Sequence, residues 1–368
     1  MKWSFQLASI KGIKINIHLT FFLIIIWGAF SYGQGQGAGR LAFGAALTVM
    51  VFGIVLLHEL GHSLVALGFG ISVRDITLLP IGGVARLERM PQKPLQEFAV
   101  AIAGPGVNVL LAALSFPLLW WASDGHFLRL FFLGLLQPNL MGALQFLFVV
   151  NLSLLVFNMI PAFPLDGGRV FRSILAAWLG FGRATRIAVW VGQGLAFLMG
   201  VYGLYRGNWV LAFIALFIFA AGGAEGRSVA VKTVLSRISV RQALSRVNTT
   251  LHPGFTVLEV ATMTLHLPQS NFPVMLGDAL VGVIGRRDIR GALEKGKKLA
   301  PIAEVMRRDF PNLGIDVSLS EAQDKLFQAN AKVAAVYEGP IFRGLLGFED
   351  IERAFQLSPS KKTLSQPA

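Results

Sequence analysis

The 368-residue chain is 54% hydrophobic and only 14% charged, with a mean hydropathy of +0.62, whereas a soluble domain carries about 25% charged residues, so a wholly soluble protein is excluded. It has no cysteine, which excludes disulfides and thiolate metal sites and leaves His, Asp and Glu to hold any metal. The net charge of +13 belongs to a membrane chain, where basic residues mark cytoplasmic loops; without an aromatic-interleaved basic stripe, nucleic acid is not an expected partner.

Six apolar stretches are long enough, or nearly so, to cross a bilayer as helices: 15–30, 41–69, 98–121, 140–160, 185–204 and 209–222. No small-residue cleavage site follows the first, which reads as an uncleaved span. Lys2, Lys11 and Lys14 precede span one; Arg74, Arg86, Arg89 and Lys93 follow span two; Arg169, Arg172, Arg183 and Arg186 follow span four; Arg227, Lys232 and Arg237 follow span six. The alternate loops hold only Arg40, Arg129 and Arg206. The positive-inside rule therefore predicts both termini in the cytoplasm. The glycines between Gly33 and Gly39 lack the lysine and strand of a phosphate loop and read as an external loop.

Span two contains His58-Glu59-Leu60-Gly61-His62. On a helix the two histidines share one face a turn apart, where their imidazoles can converge on one Zn²⁺ while Glu59 reaches a water at the metal. Ionisable groups in a membrane-length apolar run are costly and mark function. Span two runs outside to inside, so the metal lies towards the cytoplasmic face, and a third ligand is expected at similar depth.

Between spans two and three, residues 71–87 alternate apolar and polar, with Pro80 and Gly82-Gly83 marking a turn; a short β-hairpin and an ordinary loop both fit. Beside a protease site, an exposed strand edge could pair with an extended substrate. Gly104-Pro105 with Asn108 marks a kink or close helix packing, or places Asn108 against the site. Asn158-Met159-Ile160-Pro161-Ala162-Phe163-Pro164-Leu165-Asp166-Gly167-Gly168 closes span four at its cytoplasmic end. Asp166 thus lies at the required depth, its alternative being a turn residue ahead of two glycines. Asp124 is expected outside, and Asp75, Glu88 and Glu97 in a loop with basic neighbours. His18 reads as interfacial; His126, His252 and His266 fall outside the membrane or in the soluble part.

HELGH in the second span together with NMIPAFPLDGG at the end of the fourth resembles the site-2 protease family of intramembrane zinc metalloproteases. The resemblance covers about 225 residues. It implies His58, His62 and Asp166 as ligands of one zinc per chain, Glu59 as general base and Asn158 as a polar neighbour of substrate or transition state. The implied substrate is a membrane-tethered regulatory protein, such as a transcription-factor precursor or its membrane-bound inhibitor. The implied setting is the lipid bilayer of a prokaryotic plasma membrane. A soluble zincin with a third histidine six residues downstream is excluded by Val65 and Gly68. A metal or cation transporter using the same residues is the competing class, and Glu59, needed as a base only by a hydrolase, discriminates the two.

From about Arg227 the pattern becomes soluble α/β. Residues 280–289 and 342–351 both contain G-x-x-G-x-x-D-I, a strand pair running into a helix, preceded by helical stretches near 240–247 and 319–329. This internal duplication resembles a tandem CBS pair. That resemblance implies a nucleotide-sensing module with Asp288 and Asp350 contacting ribose. The Ser or Thr usual three residues before each Asp is replaced by Gly285 and Gly347, so adenosine-nucleotide binding and a structural or homodimerising role stand as alternatives. The fold class expected is an α-helical polytopic membrane protein of six transmembrane helices, with a β-hairpin between the second and third, plus a C-terminal α/β tandem CBS module. The expected divisions are 1–226, 227–357 and a disordered tail at 358–368.

Overall fold

Ile13, Ile15 and Ile17 alternate with Lys14 and Asn16, a period of two that suits a strand with one buried face. The computed structural model makes them one. It describes residues 3–33, 37–80, 82–87, 91, 93–122, 138–244, 249–267 and 269–358. Strand β1 (Ser4–Ile10) pairs antiparallel with β2 (Ile13–His18) through a turn in which Lys11 and Gly12 both have positive φ, the conformation that matches strand twist in two-residue hairpins. Helix α1 (Phe21–Gly33) begins only after β2. The expected span at 15–30 is corrected accordingly: its first part is strand, and α1, at 13 residues, is short of the ~20 needed to cross a bilayer.

Among the described residues five helices are long and apolar enough to span: Ala38–Gly68 in α2, Pro94–Trp121 in α3 (Pro94–Ala122), α4 (Leu140–Asn158), α6 (Phe181–Tyr205) and α7 (Trp209–Leu235). Between α4 and α6 a separate helix, α5 (Asp166–Leu179), starts at Asp166 instead of a loop closing span four. The hairpin expected between spans two and three is present as β3 (Val73–Leu79) and β4 (Gly82–Leu87), with Asp75 opposite Arg86 and bonded to it at 2.8 Å. Its partner was not legible: β2 adds to β3 in parallel, giving a four-stranded sheet in the order β1-β2-β3-β4. The crossover a parallel pair requires is supplied by α1 and α2. Ile13, Val73 and Ile76 then bury against Leu60 and Ala66 of α2 and Val100 of α3, so the sheet is clamped onto the helix that carries the HELGH motif.

The chain divides into two compact units, Met1–Arg227 and Ser228–Ala368. In the second, β5 (Asn271–Leu276) pairs antiparallel with β6 (Ala279–Gly285), which runs into α10 (Arg286–Glu294). The copy consists of β8 (Val333–Glu338) and β9 (Ile341–Gly347) running into α12 (Phe348–Leu357), with β7 (Asn312–Gly314) added in parallel. The helices that precede these strand pairs are α8 (Val240–Ala243), α9 (Val257–Thr264) and α11 (Leu319–Gln328). The repeated motif has a local reason. Asp288 and Asp350 each accept the amide of Gly285 or Gly347 at 2.9 Å, satisfying a donor at a helix start, and Ile289 and Ile351 enter the two cores. The expected helical residues 245–247, the external stretch containing Asp124, His126 and Arg129, and the tail 359–368 lie outside the described residues.

Helix α1 packs on α2 through small residues: a Cβ at Gly44 would stand 2.8 Å from Gly28 O and from Tyr32 Cβ. Gly44→Leu should therefore separate the two helices at a cost of about 1–3 kcal/mol, seen as a lower thermal midpoint of the purified protein in detergent.

Candidate metal centre

Helix α2 carries His58 and His62 one turn apart, both buried. Their Nε2 atoms are 3.1 Å from each other, and Asp166 Oδ2 lies 3.1 Å from the first and 3.2 Å from the second. The three form a group able to hold a metal ion. Asp166 is thus within coordination reach of both imidazoles, although it arrives from α5, over 100 residues away.

The proton positions follow from a chain of hydrogen bonds. Asn151 Nδ2 donates to the carbonyl of Leu147 at 2.8 Å, which turns Asn151 Oδ1 towards Asn108 Nδ2 at 2.9 Å. Asn108 Oδ1 then faces His58 Nδ1 at 2.5 Å, and because that oxygen can only accept, His58 Nδ1 carries the proton. His62 Nδ1 donates to the carbonyl of Val100 at 2.6 Å. Both rings thereby turn Nδ1 to these outer partners and Nε2 to the carboxylate oxygen. With both Nε2 atoms deprotonated, as metal binding requires, the two nitrogens and the carboxylate oxygen would repel one another unless a cation lay between them. Two imidazole nitrogens and one carboxylate oxygen are the donor set of catalytic zinc sites, which leave a fourth position open. Outer partners that fix tautomer and ring orientation are the usual companions of such ligands.

The surrounding glycines make room. A Cβ at Gly104 of α3 would stand 2.1 Å from His62 Nε2 and 2.7 Å from His58 Nε2. At Gly61 it would meet Ala103 O at 2.9 Å, so α2 and α3 nearly touch. The glycines after Asp166 serve close approach: a Cβ at Gly167 would lie 2.4 Å from Ile160 O, and one at Gly168 would lie 2.7 Å from Ala162 C. They let the 159–165 turn lie on the start of α5, which aims Asp166 inwards. Asp166 is therefore a helix-starting residue, stabilised where a carboxylate meets the positive end of the helix dipole.

Glu59 is half-buried and sits against β4, where a Cβ at Gly83 would be 2.7 Å from its Cγ. Asn158 ends α4, partly exposed, and is not one of the three converging groups. His18 bonds Thr20 Oγ1 through Nδ1 at 2.8 Å, and Asp75 is taken by Arg86. Glu97, expected in a basic loop, instead lies in α3 with 4% exposure and pairs with Arg172. Arg172 is correspondingly no loop cation: it is 2% exposed. In the second unit Asp350 lines a cleft of about 730 Å³, whereas Asp288 is engaged by Arg307 Nε and Nη2 at 3.0 and 2.8 Å. The residues that sequence reasoning missed are Asn151, the Val100 carbonyl and the Arg172–Glu97 pair. Asn108 and Asn151, polar side chains inside membrane-length apolar helices, carried a readable signal.

Two substitutions test this construction. Gly104→Ala should yield a helical protein with zinc content near zero, and Asn108→Ala should weaken zinc binding ~10–100-fold, both measured as metal retained per chain against a competing chelator.

Comparison with known proteins agrees with the geometry. Residues 46–137 and 125–201 match the model of Peptidase family M50. A Methanocaldococcus jannaschii protein named as a zinc metalloprotease is 32% identical over 368 residues, 99% of each chain. Among solved structures, the site-2 protease from the same organism is 36% identical, covering 61% of this chain and 95% of its own, with a TM-score of 0.43. The CBS domain pair of protein MJ0100, solved with 5′-methylthioadenosine and S-adenosyl-L-methionine, is 27% identical over 32% of this chain and 95% of its own, with a TM-score of 0.30. A hydrolase therefore replaces the transporter alternative, and the chain, matched along its whole length and spanning the membrane several times, belongs to peptidase family M50, the site-2 protease family of zinc metalloproteases.

Proposed function

We propose that His58, His62 and Asp166 hold a single zinc and that Glu59 is the general base for hydrolysis of a peptide bond in or near the transmembrane segment of a membrane-tethered regulatory protein. The observation that carries this is the convergence of two imidazole nitrogens and one carboxylate oxygen within 3.2 Å of one another. Zinc bound there would polarise the scissile carbonyl and lower the pKa of a water towards ~7. The protein does the rest. Asn108 and the Val100 carbonyl hold both imidazoles with Nε2 turned to the metal position. Glu59, one residue from His58 and flanked by β4, takes the proton of the attacking water and returns it to the leaving amine. Asn158 donates to the developing oxyanion.

A helical peptide bond is shielded by its own hydrogen bonds, so the target segment must unwind before attack, and helix-destabilising residues in the target favour cleavage. Strand β4, an edge of the sheet among the described residues and adjacent to Glu59, is suited to hold the unwound segment by strand addition. The basic loops support cytoplasmic termini in a prokaryotic plasma membrane.

The C-terminal unit is proposed as the regulatory part, with a homodimer through it as the assembled form. Its cleft carries Arg287, Arg290, Arg307 and Lys332, which favours an anionic ligand such as an adenosine nucleotide held by its phosphates. Asp288 is engaged by Arg307 and the Gly285 amide, and Asp350 by Arg353 and the Gly347 amide; of the two, Asp350 lines the cleft and is the better candidate for a ribose contact.

Glu59→Gln should retain one zinc per chain and lower cleavage of a membrane-tethered reporter in proteoliposomes by at least ~10²-fold. Undiminished cutting by this variant, or wild-type protein without zinc, would overturn the reading. For the cleft, millimolar ATP or AMP should raise the melting temperature of the full chain; Arg307→Ala and Lys332→Ala together should remove the shift, and a shift unaffected by them would sink the cleft assignment.

A further inference from the structure

Arg172 lies on α5 six residues after Asp166. Six residues turn a helix by about 600°, so the guanidinium leaves α5 about 120° around from the carboxylate and reaches other partners. Its Nε donates to Glu97 Oε1 at 2.8 Å, Nη2 donates to the same oxygen, and Nη1 donates to Glu225 Oε1 at 2.9 Å. The Phe163 and Phe181 rings stand 4.8 and 4.7 Å from its central carbon. One side chain thus ties α5 to α3, to α7, to the turn before α5 and to the first residue of α6.

The partner on α3 matters for the metal. Glu97 is three residues before Val100 and seven before Gly104, positions that share a helix face. Val100 orients His62, and Gly104 backs both imidazoles. The stripe of α3 that holds the histidine half of the cluster is therefore the stripe to which Arg172 anchors the aspartate half.

Stability alone does not explain the pair. Taking a guanidinium and a carboxylate out of water costs several kcal/mol per ion, and apolar residues of similar size often pack as well or better. Here both donors converge on Oε1, and Glu97 Oε2 is buried without a hydrogen-bond partner among the described residues. What the ions add over apolar packing is direction: a planar fork accepts only a narrow range of partner positions.

We propose that Arg172, acting through Glu97, is a positioning residue that fixes α5 against α3 and so sets the distance of Asp166 Oδ2 from the two imidazole nitrogens. The inference rests on the reading of His58, His62 and Asp166 as zinc ligands.

The test uses the full chain in detergent, with wild type, Arg172→Lys, and the double variant Glu97→Met/Arg172→Met, which leaves no buried charge stranded between α3 and α5. Three quantities are read: the melting curve of the metal-free protein, zinc affinity against a competing chelator, and the visible absorption of the cobalt-substituted protein. The double variant should melt cooperatively near wild type yet bind zinc ~10–100-fold more weakly with an altered cobalt spectrum; Arg172→Lys, which keeps charge but not the fork, should fall between. If the double variant does not fold, Arg172→Lys decides alone. A folded variant with wild-type zinc affinity and cobalt spectrum overturns the role of Arg172. Wild type that binds neither metal overturns the ligand reading itself and this inference with it.

Discussion

Two imidazole nitrogens and a carboxylate oxygen are held within 3.2 Å of one another, and much of the first unit serves that contact. Lone pairs in such proximity repel, so neighbours must prevent the rings from rotating or the aspartate from retreating. Leu147, Asn151 and Asn108 form one such constraint, ending on His58. The Val100 carbonyl supplies a second, on His62. The third is the seating of α5, whose first residue is Asp166. A buried polar group without its hydrogen bonds costs free energy, so this network holds each Nδ1 to its outer partner and leaves each Nε2 turned to Asp166.

Helix packing in the first unit follows from the same demand. Lipid is as apolar as leucine, so membrane helices associate by close backbone approach at small residues. Gly44 brings α1 to α2, Gly61 brings α2 to α3, and Gly167, Gly168 and Gly192 bring the 159–165 turn onto α5 and α6. Gly104 differs from these, since the atoms it makes room for are the Nε2 atoms of His58 and His62 themselves. Seating the sheet on α2 sets the edge strand β4 beside Glu59.

The second unit shows how one motif can answer two needs. Asp288 and Asp350 cap helices in both halves, a sufficient structural reason for an aspartate there whether or not a ligand binds. The halves differ in the arginine that meets this aspartate, Arg307 at Asp288 and Arg353 at Asp350, and in that Asp350 lines the cleft. Duplication thus built a symmetric frame around two positions with different neighbours.

The amino-acid order by itself determined the membrane class, the shared face of His58 and His62 on α2, and the duplicated α/β unit. Each is a local periodicity or a short spacing, which neighbouring residues alone can impose. The hairpin at 73–87 was legible for the same reason, through its alternation and its Gly-Gly turn. Only the tertiary structure decided that Ile13, Ile15 and Ile17 belong to a strand and not to the start of a span, since their alternation runs on into the apolar stretch of α1 and their partner β3 lies some 60 residues onward. Only it decided that Glu97 and Arg172, which look like loop charges in isolation, are buried against each other. It also supplied the tautomers of His58 and His62, because a proton's place on a ring is set by whichever acceptor the fold brings to its far side, and no reading of nearest neighbours contains that information.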